Sequence, residues 1–318
     1  MKRILLIADP IHDLKATKDT SLCLTQELLR RGDDVFYYNI RHHIKELQNK
    51  ILRCSKIEAC DPQNEIFLKL EAEKIYTLND FDICLHRLDP PVDKEYLEYL
   101  QFFIENAPKS LLQVNNPQVF FESSEHSLPM QFPNESIPTQ TVKSPAEIFS
   151  FMNQASEEFV LKPNDECAGK GIQFIKKDIS EKELKEYLKN WGPEMIIQPF
   201  REAIYTRGDH RILCMNGKIL GNFVRRAKEG SRLSNIHQGG SVHKEEITER
   251  QKEISLKLAE KLKEKGVYLI GFDFIGDEIS EINYTSPMGI VQINELSKNS
   301  SEKLFADELE KLYQKEKL

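Results

Sequence analysis

Apolar and polar residues alternate most sharply between Tyr268 and Pro287, YLIGFDFIGDEISEINYTSP. The pattern predicts two strands joined by a tight turn at Gly276-Asp277. With Gly276, Asp277 and Glu278 as a three-residue loop, Ile275 faces Ile279 and Asp273 sits across from Glu281. Alternation then sends Phe272, Phe274, Ile282 and Tyr284 into a core. Asp273, Glu281 and Asn283 point to the other face. Two carboxylates facing each other, with Cβ atoms ~5 Å apart, repel across a strand pair. A hard divalent cation such as Mg²⁺ relieves that repulsion, because it is held by one or two carboxylates together with substrate phosphates. A solvated acidic face on an ordinary hairpin fits the same pattern.

The chain before this hairpin opens with an apolar strand, Arg3 to Ala8, and a polar loop. A helix follows from about Asp19 to Arg31, with Leu22, Leu24, Leu28 and Leu29 inward and Gly32 closing it. Asp34 to Asn39 is a second strand, and this β-loop-α-β order predicts a parallel sheet. Ligands of such sheets lie at the carboxyl ends of the strands, where Lys18, Asp19 and Ser21 stand. An N-cap is the plain alternative for Asp19. Residues 41–80 are charged and helical in appearance. Asp82 to His86 is a short strand that delivers Arg87 to the same sheet edge, before Pro90-Pro91. Pairing with Asp89 is the alternative there. Lys94 to Asn106 is a helix and Leu111 to Val114 a strand.

The middle of the chain reads differently. Ser144-Pro145-Ala146-Glu147 starts a helix. Phe159 to Pro163 is a strand carrying Lys162 at its end. Ala168-Gly169-Lys170-Gly171 then turns into a strand from Ile172 to Ile175. Such a hairpin lines an anion site with backbone N–H groups, with Lys162 as a point charge, although glycine hairpins are also common turns. Ser180 to Asn190 is a capped helix, and Met195 to Gln198 a strand broken at Pro199. Gly208 to Met215 and Lys218 to Arg225 are strands joined at Asn216-Gly217. They carry Arg211 and Arg225, which suit phosphoryl stabilisation or, equally, surface ion pairs. Gly230 to Gly240 is a polar loop suited to covering a site. Thr248 and Gln251 cap a helix ended by Gly266. Glu302 to Tyr313 is a closing helix.

Composition narrows the class. The 318 residues suggest two or three domains. At 40% hydrophobic and 30% charged the chain is that of a soluble globular protein. No apolar run reaches the ~20 residues of a membrane span. The five-residue apolar run after Lys2-Arg3 meets Asp9-Pro10 and reads as a strand rather than a leader. The net charge of −7 argues against a nucleic-acid partner. Six cysteines without a CxxC pair fit reduced thiols and a cytoplasmic protein.

With these stretches in hand, the chain resembles the bacterial (prokaryotic-type) glutathione synthetases of the ATP-grasp superfamily over nearly its whole length. The matching segments are DPI at 9–11, KDTS at 18–21, RRG at 30–32, DPP at 89–91, VNNPQ at 114–118 and LKP at 161–163. GDHR at 208–211, QGG at 238–240 and GFDFIGDEISEINYTSP at 271–287 follow in the same order. The resemblance implies an α/β protein, an ATP-grasp fold preceded by an N-terminal parallel-sheet domain. The expected units are residues 1–120, a lid subdomain at 121–200 and a catalytic subdomain at 201–318.

The implied activity is ATP-dependent ligation of γ-glutamylcysteine to glycine through an acyl phosphate, with ATP and Mg²⁺ (Mn²⁺ as a substitute) as cofactors. Asp273, Glu281 and Asn283 match the metal ligands, and Arg211 and Arg225 the clamp on the phosphoryl group. Lys162, Gly169, Gly171, Gln198, Phe200, Asp209 and His126 match the nucleotide site, with Asp209 at the ribose or behind Arg211. Lys18, Asp19, Ser21, Arg87, Asn235, Gly239, Gly240 and Ser286 match the substrate side. A homo-oligomer is expected. Three positions depart from the family. His126 stands where a second ATP lysine falls, and weaker nucleotide binding is expected from it. Asp165 and Glu166 enter the lid loop. Leu233 replaces an arginine of the covering loop, with Arg232 beside it. Two other readings therefore stay open: the same chemistry on another acid or amine, and nucleotide binding without catalysis.

Overall fold

The computed structural model describes residues 1–153, 156–164, 170–192, 194–228 and 239–316. The first sheet comprises β1 (Arg3–Ala8), β2 (Asp34–Asn39), β3 (Leu52–Cys60), β4 (Leu68–Leu70), β5 (Lys74–Tyr76), β6 (Ile83–Arg87) and β7 (Leu112–Val114). Its order is β4-β3-β2-β1-β6-β7, with β5 also on β3. The pairs β1/β2, β1/β6 and β6/β7 are parallel, as the β-loop-α-β opening predicts. The helix Thr20–Arg30 starts on Asp19, whose Oδ1 accepts from the Leu22 N–H at 2.9 Å.

Residues 41–80 meet the helical expectation only in part. Residues 41–49 are helical as expected, in an α-helical turn and a 3-10 helix through Asn49, but from Leu52 the chain forms β3, β4 and β5, all antiparallel additions at the sheet edge. Their charges belong to an exposed edge, where Lys56 pairs with Asp34 and Lys69 with Glu58. Edge strands carry such charges to discourage further pairing, which hides their strand pattern.

The second sheet is antiparallel, in the order β10-β9-β11-β8. Its strands are β8 (Gln140–Val142), β9 (Glu158–Pro163), β10 (Gln173–Lys176) and β11 (Met195–Pro199). It has its own core, with Val142, Phe159, Leu161, Ile175 and Leu184 among its members. The third sheet runs β14-β13-β12-β15-β16. Here β12 is Asp209–Met215, β13 Lys218–Arg226, β14 Ser241–His243, β15 Leu269–Ile275 and β16 Glu278–Asn283. Its buried face, including Phe272, Phe274, Ile282 and Tyr284, joins one core with Leu5, Tyr38 and Leu100 of the first sheet's unit.

The β15/β16 hairpin corrects one detail. The loop is two residues, Gly276 and Asp277, and Ile275 pairs with Glu278. Gly276 takes φ +67°, as a primed turn requires. Phe274 then faces Ile279, and Ser280 is the extra residue of a bulge, its Oγ donating to the Asp273 carbonyl at 3.1 Å. Because the bulge adds back the residue the shorter loop removes, Asp273 still stands opposite Glu281.

Candidate active site

A cavity of about 670 Å³ is lined by residues of all three sheets and their loops. At one end Val160, Phe174, Phe200 and Ile275 give it an apolar wall. The Phe174 and Phe200 rings meet edge-on at 5.7 Å. Gln198 borders this wall, but its amide is engaged, donating to Thr139 Oγ1 at 2.9 Å and to the Ser280 carbonyl at 3.0 Å. The Phe200 N–H donates to the Glu158 carbonyl at 2.8 Å. At the other end Lys15, Lys18, Ser286, Met288 and Gln292 line the cavity.

Charged groups fill the middle. Alternation on β12 puts Asp209 and Arg211 on the cavity face, and the sheet register sets Arg211 against Asp273 and Asp209 against Arg225. Arg211 donates from Nε and NH2 to the two oxygens of Asp273, at 2.7 and 2.6 Å. Arg225 NH2 lies 2.7 Å from Asp209 Oδ2 and 2.8 Å from Asp273 Oδ2. Both arginines are 8% exposed, so these are buried pairs rather than surface ones. Burial acts to raise the Asp273 carboxyl, but Arg211 and Arg225 outweigh it and hold it below its usual range. For Asp209 burial wins over Arg225, and its carboxyl is pushed up.

Glu281 reaches His126, with Oε2 3.3 Å from the ring Nδ1. Burial works to raise the Glu281 carboxyl as well; His126, Lys162 and Arg211 together hold it low. Lys162, 9% exposed, lines the same wall, and burial lowers its ammonium. Asn283 Nδ2 donates to Asp273 Oδ2 at 3.2 Å. Two opposed carboxylates and an amide are hard oxygen donors, the chemistry Mg²⁺ takes. Among the described residues no group of three or more His, Cys, Asp or Glu is arranged for a metal. The donor set therefore fits a cation completed by phosphate oxygens, with the N–H bonds on Asp273 exchanged for it.

Not every residue expected at the site faces the cavity. Asp19 is the helix N-cap. Ser21 Oγ accepts from Arg87 Nε at 3.0 Å, and Arg87 NH2 donates to the Pro287 carbonyl at 3.3 Å. These three stand behind the cavity wall, whereas Lys18 and Ser286 are on it. Arg87 does not pair with Asp89 through any hydrogen bond; the Asp89 N–H donates to Asp9 instead. Gly171 accepts from the Tyr187 hydroxyl, and neither it nor Gly239 nor Gly240 lines the cavity. Gly169, Asn235, Arg232, Leu233 and the acidic pair Asp165 and Glu166 lie outside the described residues.

Sequence reasoning passed over Glu125. Its Oε1 accepts from Tyr284 N–H at 2.7 Å and from Thr285 N–H and Oγ1, both at 2.8 Å. It thereby fixes the exit of β16 toward Ser286. Its only sequence signal is its place beside His126. Phe174 was also missed, although it alternates with Ile172 and Lys176 toward one face of β10.

Three sheets arranged this way, with a cavity at the β15/β16 hairpin, define an ATP-grasp enzyme. A solved structure with the same fold is D-cycloserine synthetase DcsG, with a TM-score of 0.64 and 15% identity, covering 98% of this chain and 99% of that one. The chain belongs to the prokaryotic glutathione synthetase family. Residues 2–120 match the model of that family's N-terminal domain and residues 125–298 the model of its ATP-grasp domain. It is 30% identical to the glutathione synthetase of Brucella melitensis biotype 1, over 95% of this chain and 96% of the relative. Identity to the glutathione synthetase of Buchnera aphidicola subsp. Schizaphis graminum is also 30%, over 98% of each.

Proposed function

We propose that this chain is an ATP-dependent carboxylate–amine ligase that makes glutathione from γ-glutamylcysteine and glycine. The observation that carries the reading is a cavity in which buried Arg211, Arg225 and Lys162 face Asp273 and Glu281. A carboxylate oxygen of γ-glutamylcysteine attacks the γ-phosphorus of ATP, and the bond to the β-phosphate oxygen breaks to release ADP. The glycine nitrogen then attacks the acyl carbon, loses a proton and expels phosphate.

The apolar wall at Phe174 and Phe200 suits adenine. Lys162 sits where the phosphates would pass, and the arginines are placed to hold the phosphoryl group in transfer. Asp273, Glu281 and Asn283 would hold Mg²⁺, or Mn²⁺ in its place. The ion supplies neutralisation of phosphate charge. Lys15 and Lys18 supply cations for the acid substrate at the opposite end. On this reading residues 1–120, 121–200 and 201–318 are the substrate, lid and catalytic units. Among the described residues no helix is long and apolar enough to cross a membrane. A cytoplasmic homo-oligomer is the setting we assign.

The same chemistry on another acid or amine is the second reading, and Leu233 in place of the family's arginine favours it. ADP release across a panel of acids and amines separates the two. Glycine-dependent release with γ-glutamylcysteine is expected. Release with a different pair, and none with this one, would move the chain to the second reading.

A further inference from the structure

Arg211 and Arg225 are anchored unequally. Both carboxylate bonds of Arg211 end on Asp273. Arg225 NH2 is shared between Asp273 and Asp209. Arg225 Nε is buried and has no hydrogen-bond partner among the described residues, so the guanidinium has a donor in reserve for an anion. The two aspartates differ as well. Asp273 belongs to the oxygen set assigned above to the cation, and turning to it means giving up guanidinium bonds. Asp209 lies two residues along β12 from Arg211, opposite Ile275 on one side and Arg225 on the other. Its bond to Arg225 involves neither Asp273 nor Glu281.

We propose that Asp209 is a positioning residue that keeps the Arg225 guanidinium aimed at the transferring phosphoryl group while Asp273 serves the cation. A free arginine side chain samples many rotamers, and a charge-assisted bond to its planar head restricts it. The anchor matters most in the transition state, where phosphoryl charge is spread over its oxygens. This inference deepens the ligase reading and rests on it. It also differs from the expectation that Asp209 reaches the ribose or backs Arg211, because Asp209 Oδ2 accepts from Arg225 NH2 at 2.7 Å.

The test is Asp209→Asn in the intact chain, alone and with Arg225→Ala. Kinetics are measured with ATP and with 2′,3′-dideoxy-ATP. The expected kcat loss is on the order of 100-fold, with the KM for ATP changed less than about threefold. The loss is the same with the dideoxynucleotide and adds little to Arg225→Ala. A loss confined to the KM for ATP that vanishes with the dideoxynucleotide would assign Asp209 to the ribose and overturn the proposal. Full additivity with Arg225→Ala would overturn it too. Binding of ADP with aluminium fluoride and Mg²⁺, which mimics the phosphoryl group in flight, is read in parallel. About tenfold weaker binding in Asp209→Asn is expected, and equal binding overturns the proposal. This measurement needs no acid or amine, so it stands even if γ-glutamylcysteine and glycine prove to be the wrong pair. Asp209→Ser replaces Asp209→Asn, with the same outcomes, if melting shows that the latter does not fold.

Discussion

Asp273 accepts three guanidinium bonds on two oxygens and is 3% exposed. Replacing it by asparagine removes the charge that both arginines answer. Breaking such a buried pair costs about 3 kcal/mol. Asp273→Asn is therefore expected to melt lower but still fold, and to lose turnover by about 10³-fold or more. Glu281 is bound less tightly, and Glu281→Gln should lose turnover with a smaller drop in melting temperature. Near-normal ADP release by either variant at saturating Mg²⁺ would remove them from the metal site. His126 invites the opposite kind of change. It faces the cavity at 3.3 Å from Glu281, beside Lys162, where the family resemblance puts a lysine. His126→Lys should tighten an ATP analogue by on the order of 1 kcal/mol, a few-fold in the dissociation constant. Calorimetry showing unchanged or weaker binding would mean that the position does not serve the phosphates.

At the level of elements, alternation was enough to pair Asp273 with Glu281 and to put Phe272 and Tyr284 inside. The bulge at Ser280 was not legible, because a two-residue loop with a bulge and a three-residue loop without one give the same facing pair. Residues 52–76 look helical in sequence because edge strands carry the charges of a solvated helix. The partner of Asp209 was equally hidden, since it depends on the β12/β13 register and not on sequence spacing. His86 shows what such burial implies. It lies in β6 at 1% exposure, its Nε2 3.0 Å from Gln113 Oε1 of β7. Burial pushes the imidazole down to about 4 from 6.5. A base whose folded value is depressed contributes stability above pH 6.5 that is lost as the pH falls toward 4. The full loss is about 3 kcal/mol. His86→Gln removes this titration at the cost of ring packing against Phe103, which is a constant offset. Urea unfolding at pH 7, 5.5 and 4.5 should show the gap between wild type and variant narrowing as the pH falls. A gap independent of pH would show that His86 titrates normally in the fold.

Across the whole molecule the first and third sheets share one core, while the second sheet keeps its own. The apolar end of the cavity, which we assign to the nucleotide, is accordingly built from the second and third sheets, and the end we assign to the substrates from loops of the first and third. Arg87 fastens that second junction. From the end of β6 its Nε reaches Ser21 and its NH2 reaches the Pro287 carbonyl, 200 residues away in sequence. Its own carbonyl accepts from Ser286 Oγ at 3.2 Å. Arg87 is 3% exposed, and its NH1 has no partner among the described residues. Arg87→Leu fills part of the space without the charge, but leaves Ser21 Oγ and the Pro287 carbonyl without their donor. A loss of about 2–3 kcal/mol is expected. Its functional effect should be one-sided. The loop carrying Ser286 and Met288 loosens, so KM for the acid and amine rises, on the order of tenfold. The affinity for an ATP analogue, made by the other two sheets, should change by less than about threefold. Calorimetry for the analogue and steady-state kinetics for the acid and amine decide it. Equal weakening of both would show that Arg87 supports the whole cavity rather than its substrate end.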